Sequence, residues 1–207
     1  MSIKQTSHLS VRYAVPLILV FGVCAAIAAQ GLTGAIFTTN STGTFVNANV
    51  YDDPSGPYLN GGPRPNSGSC TSAGLPNGDY YFQVTDPSGS QLLSSDDITN
   101  RRFTVLNGVV AAYAGTHTQG TGRCADVTIQ LAPFGTTSNP GGEHKVWVTP
   151  VDRYLAGSGS FGFLPRSSKT DNFKVASLVD SDGDGIPDAD DNCPFFYDPT
   201  NLCYTVR

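Results

Sequence analysis

Thr104-Val105-Leu106-Asn107-Gly108-Val109-Val110-Ala111 carries the sharpest turn signal in the chain. Two apolar, β-branched runs flank an Asn-Gly pair, and a two-residue hairpin loop needs positive φ at both central positions, which these two residue types tolerate best. The stretch predicts paired strands over 102–106 and 109–113. Outward from it, Gly and Pro, 23 and 14 of 207 residues, punctuate short runs rich in Val, Thr, Tyr and Phe. Further strands are expected over 35–39, 44–51, 80–85, 125–132, 144–148 and 172–175. Period-two alternation is clearest in Tyr80-Phe82-Val84 against Tyr81-Gln83-Thr85, and in Val127-Ile129-Leu131 against Asp126-Thr128-Gln130. Each predicts one buried face. Short strands with frequent turns and almost no helical period define an all-β, antiparallel β-sandwich, Ig-like or transthyretin-like.

Leu75-Pro76-Asn77-Gly78-Asp79-Tyr80-Tyr81-Phe82-Gln83-Val84 resembles the Leu-Pro-x-Gly-x-Tyr strand start of transthyretin-like and collagen-adhesin B-type domains over about ten residues. The resemblance implies a sandwich and no particular chemistry. Trp147, between Val146 and Val148, is expected in the core. Residues 155–163, with three glycines, read as a flexible loop or poorly packed edge, and residues 52–77 as a long insertion.

The N-terminus has the parts of a secretory signal: Lys4 and Arg12, then an apolar run over 13–29 that contains Pro16 and closes in Ala26-Ile27-Ala28. Cleavage is expected after Ala28, leaving no membrane span and a secreted or cell-surface chain. Removal of Lys4 and Arg12 moves the formal charge from −5 to −7. Residues 29–176, the expected sandwich domain, then hold ten acidic and nine basic side chains; residues 177–207 hold seven acidic and one basic. A neutral body with an acidic tail excludes nucleic acid as a partner, since phosphate binding needs clustered Lys and Arg. Four cysteines remain, Cys70, Cys124, Cys193 and Cys203, and an even number in an exported chain predicts disulfides. Three connectivities are possible; the local one, Cys70 with Cys124 and Cys193 with Cys203, is preferred. Asn40-Ser41-Thr42 matches the N-glycosylation pattern.

The acidity of the tail is concentrated in Asp180-Ser-Asp182-Gly-Asp184-Gly185-Ile186-Pro-Asp188-Ala-Asp190-Asp191-Asn192-Cys193-Pro194. Six aspartates within twelve residues repel one another unless a cation sits between them. Positions 1, 3, 5, 9 and 12 are acidic and position 6 is Gly185, the spacing that wraps a short backbone around Ca²⁺. Asp180, Asp182, Asp184, Asp188 and Asp191 would supply side-chain oxygens and Ile186 its carbonyl. Pro187 and Pro194 argue against flanking helices, so the loop reads as an irregular calcium strap rather than a helix-opening sensor.

The spacing from Asp180 to Pro194 is similar to the calcium-binding thrombospondin type 3 repeat. In that family such repeats come in series and share calcium ions; here one copy is present. The resemblance implies calcium ligation by Asp180, Asp182, Asp184, Asp188 and Asp191.

Catalysis has no visible constellation. His117 and His144 read as exposed polar residues; Gly157-Ser158-Gly159 lacks nucleophile-elbow spacing; and the pairs Asp52-Asp53 and Asp96-Asp97 read as solvated loops. The expectation is a non-enzymatic, calcium-binding structural or adhesion module, in contact with copies of itself, surface proteins or polysaccharide. The alternatives are a filament or pilus-like subunit that donates a strand from residues 32–50, and a carbohydrate-binding or accessory domain of a secreted enzyme.

Overall fold

The computed structural model describes residues 31–46, 48, 50–63, 70, 74–139, 141–176 and 179–203; the expected signal segment lies outside them. Among the described residues ten strands form two sheets. One is ordered β1 (Phe37–Thr39), β3 (Tyr58–Asn60), β8 (Val127–Gln130), β7 (Gln119–Thr121). The other is ordered β2 (Val50–Tyr51), β10 (Lys169–Val175), β9 (Glu143–Pro150), β4 (Gly78–Thr85), β5 (Arg102–Leu106), β6 (Val109–Tyr113). Among the described residues only the β2–β10 pairing is parallel. The Asn-Gly hairpin forms as expected: Asn107 and Gly108 have φ of 54° and 80°, and Leu106 faces Val109. The described residues of 44–51 give the short β2 and an isolated bridge from Val46 to Thr39, where Asn40 gathers the chain into a turn, its Oδ1 accepting the Thr44 N–H at 2.9 Å. The stretch read as a long insertion contributes β3, whose three residues give too short a pattern to stand out.

The core lies between the sheets. Leu59 and Ile129 from the smaller sheet meet Phe82, Phe103, Val146, Val148 and Phe173 from the larger. Full burial of each such side chain is worth about 1.5–3 kcal/mol. The expectation of one buried face is corrected for β8, where Asp126 and Thr128 are buried as well as Ile129 and Leu131, and for β4, whose outer face is buried together with that of its neighbour β9. Gln83, Thr85, Trp147 and Thr149 point away from the core cluster yet are also buried. A flap over 151–168 covers them: the Gln83 amide donates to the Ser160 carbonyl at 2.7 Å, Tyr154 meets Tyr81 edge-on, and Phe163 is fully buried. The segment read as flexible is therefore a packed lid over a second, smaller cluster. Its glycines serve turns at positive φ, and alternation alone cannot reveal an outer layer supplied by a loop. Trp147 is buried, though in this outer cluster and not in the core between the sheets, its Nε1 donating to Thr85 Oγ1 at 2.9 Å.

Both histidines are buried, which corrects their reading as exposed. His117 places Nε2 2.9 Å from Asp96 Oδ2 and Nδ1 2.7 Å from the Gln130 carbonyl, so Asp96 is likewise no solvated loop residue. Asp96 also pairs with the buried Arg101, Nε to Oδ1 at 3.4 Å. Polar residues at the core become legible only once their partners, 5 and 21 positions away in sequence, are brought together.

His144 is fully buried, stacked on Phe173 and edge-on to Phe134. Burial pushes its pKa below the usual value, an effect only partly opposed by the Gly135 and Gly142 carbonyls beside its ring nitrogens. A depressed histidine favours the neutral native form: its stabilising share is present above about pH 6.5 and is lost as pH falls through the folded-state pKa. Thermal melts from pH 7.5 to 5 should therefore show falling stability, and His144→Phe should flatten that slope; an unchanged slope in the variant would refute the assignment.

Two disulfides are formed, Cys70–Cys124 and Cys193–Cys203, the preferred connectivity. They fit folding in an oxidising compartment. Among the described residues no helix is long and apolar enough to cross a membrane.

Candidate metal centre

The acidic loop leaves β10 and returns to the body at a turn leading into β9. A Cβ on Gly142 would meet Val179 Cγ2 at 2.8 Å, so only glycine lets the loop seat there. Asp188 N–H donates to the Val179 carbonyl at 2.7 Å and closes the ring of chain. Inside it the backbone is turned by the aspartates themselves. Asp180, nearly fully buried, accepts the N–H groups of Gly183 at 2.8 Å and Gly185 at 2.9 Å. Asp182 accepts from Asp184 N–H at 3.2 Å, and Asp184 from Ile186 N–H at 2.9 Å. Gly183 and Gly185 sit at φ of 78° and 96°, where a side chain would be strained.

These bonds bring one oxygen each from Asp180, Asp182 and Asp184 within 4.8 Å of one another. Two further observations bear on a cation. Asp182 Oδ2 and Asp191 Oδ2 are buried and accept no hydrogen bond. A buried anionic oxygen without a partner is costly, and a hard cation is a partner that would satisfy it; Asp182 belongs to the three-carboxylate cluster, whereas Asp191 lies outside it. Partial burial, together with the charges of Asp184, Asp191 and Asp180, pushes the Asp182 carboxyl above its ordinary value. The donor set is all oxygen, which suits Ca²⁺ or Mg²⁺ and not zinc or copper.

The remaining expected ligands are placed differently. Both oxygens of Asp188 accept from Ser181, from its N–H and from its hydroxyl, each at 2.7 Å; Asp188 thus shapes the loop, and a ligand bond from it would use its other lone pairs. Ile186 directs its N–H to Asp184. Asp191 Oδ1 caps Cys193 N–H at 2.8 Å, leaving its other oxygen free of protein donors.

Residues beyond the repeat-like stretch complete the centre. Asp184 Oδ2 accepts the Asp198 N–H at 3.0 Å, tying the distal tail to the loop. Asp198 in turn accepts from the N–H groups of Thr200, Leu202 and Cys203, and Asn192 and Asn201 bond twice to each other. The signal for Asp198 was present as Asp-Pro-Thr-Asn, a turn composition. Its link back to Asp184 has no local signature.

Searches against family models, curated proteins and solved structures find no match for this chain. The fold and the centre define an all-β, disulfide-bonded protein with an aspartate cluster able to hold a metal ion.

Proposed function

We propose that the chain is a secreted or cell-surface structural or adhesion module whose C-terminal strap binds Ca²⁺, the ion rigidifying the tail for contact with a neighbouring molecule. One observation carries this reading: within the three-carboxylate cluster of Asp180, Asp182 and Asp184, one Asp182 oxygen is buried and unpartnered, as is one oxygen of Asp191 outside the cluster. Asp180, Asp182, Asp184 and Asp191 would hold the ion. When bound, it supplies charge neutralisation and folding energy rather than chemistry, and weak sites of this kind fill at the near-millimolar calcium found outside cells. The disulfides and the signal-like N-terminus support export. Strand donation by residues 32–50 is less favoured. Phe37–Thr39 already pairs with β3, and Leu32 and Ile36 are buried in the core, so a donor would have to unfold its own sandwich.

The reading is tested by digestion with an aspartate-directed protease. In chelator the tail should be cut at 180–191 while the sandwich persists as a stable fragment; in millimolar calcium those cuts should be suppressed. Equal cutting in both conditions would refute a calcium-ordered strap.

A further inference from the structure

The tail ends in a tip of exposed apolar side chains: Phe195, Phe196 and Tyr197 are 84%, 61% and 64% exposed, and Leu202 is 59% exposed. They do not hang from a loose terminus. The Cys193–Cys203 disulfide closes their loop, Asp198 gathers three N–H groups inside it, and Phe196 N–H bonds the Cys193 carbonyl at 2.9 Å. A framework that holds aromatic rings out in water loses their burial energy unless a partner supplies it, and contiguous exposed apolar residues mark interaction sites.

The same chain carries a complementary surface on its flap. Over 151–169, the flap and the first residue of β10, there are three basic residues, Arg153, Arg166 and Lys169, and one acidic, Asp152, whereas 179–203 holds seven aspartates and no basic residue. The flap also exposes Leu155 and Phe161. Phe161 stands at φ of 53°, a conformation rare for a bulky side chain. The flap leaves β9 and β10 where Pro150 and Lys169 lie, while the strap joins their opposite ends at Gly142 and Val175. At about 3.3 Å per residue these exits are roughly 25 Å apart.

We infer that the partner of the aromatic tip is the flap of a second copy of this chain, the acidic segment that carries Phe195–Tyr197 meeting the segment that carries Leu155, Phe161, Arg166 and Lys169. The two patches differ, so the contact is heterologous and propagates head to tail instead of closing a two-fold dimer. Each aromatic buries about 150–250 Å², and three fall short of the roughly 800 Å² per partner of a standard interface. The association is therefore weak and reversible. It rests on the calcium reading in one respect: the ion seats the tip, and its two charges leave the segment with seven aspartates still acidic.

Sedimentation velocity of the purified protein in millimolar calcium, from about 1 μM to 1 mM, should show open-ended, concentration-dependent growth. Phe195→Ser with Phe196→Ser should weaken association roughly 100-fold without lowering the melting temperature. Arg166→Glu with Lys169→Glu should do the same, and mixing that variant with one carrying Asp190→Lys, whose side chain is exposed and holds no part of the tip, should restore association between the two. Monomer at every concentration, or association that survives loss of the two phenylalanines, would overturn the inference. A monomer that instead pellets with phosphatidylcholine vesicles or with an insoluble glucan would overturn it too, and assign the tip to a lipid surface or a polysaccharide. Calcium uptake measured on the same samples separates the two readings: uptake by a persistent monomer defeats this inference alone, and association without uptake defeats the calcium reading alone.

Discussion

Asp96→Ala is expected to lower stability by about 3–5 kcal/mol, because it strips the counter-charge from Arg101 and leaves a guanidinium buried without a partner. Burial already pulls the Arg101 pKa down, and the Asp96 charge is the chief influence opposing it. Two of its nitrogens, Nε and Nη1, make no hydrogen bond, so the ion pair is what keeps the group tolerable; Nη2 donates to the Asp96 carbonyl at 3.1 Å. His117 also loses its Nε2 partner in the variant. For a chain of this size the loss corresponds to a fall of roughly 6–20 °C in melting temperature. The complementary experiment replaces all three groups by apolar ones, Asp96→Leu, Arg101→Met and His117→Phe. Because desolvating ions offsets most of their mutual attraction, the triple variant should be no less stable than the parent. A small shift for Asp96→Ala, under about 2 °C, would mean that water reaches the cluster and that the pair is a surface feature.

The second large effect belongs to the strap. Adding Ca²⁺ at a hundredfold excess over its dissociation constant should stabilise the native protein by about 2.7 kcal/mol, since only the folded loop gathers the carboxylates. Asp182→Ala with Asp184→Ala should abolish that gain while leaving the β-sheet circular dichroism in place, because neither side chain touches the sandwich core. Loss of the whole β signal would show that strap and sandwich fold as one unit.

The sandwich was largely legible because its evidence is local. Asn107-Gly108 demanded a hairpin, and the alternations around Phe82 and Ile129 marked strands whose inner faces are buried. What escaped was non-local. The outer faces of β4 and β9 are covered by a flap that follows β9, so Gln83 and Thr85 read as solvent-facing until Ser160 and Trp147 are placed beside them. The histidines failed for the same reason, since their burial depends on carbonyls and rings from other elements.

The candidate centre divides along the same line. Asp180, Asp182 and Asp184 converge because a tight turn at Gly183 and Gly185 folds neighbours in sequence onto one point. Asp188, read as a ligand from spacing and from the resemblance, lies outside the cluster of three and holds Ser181 through both its oxygens. Asp198, outside the repeat-like stretch, fastens the tail through its backbone N–H to Asp184.

The central claim is that the strap takes up Ca²⁺, and isothermal titration of the purified protein tests it most directly. The expected result is saturable uptake with a midpoint near about 10⁻⁴–10⁻³ M, abolished by Asp182→Ala with Asp184→Ala. No uptake at millimolar calcium, or uptake that persists in the double variant, would contradict it.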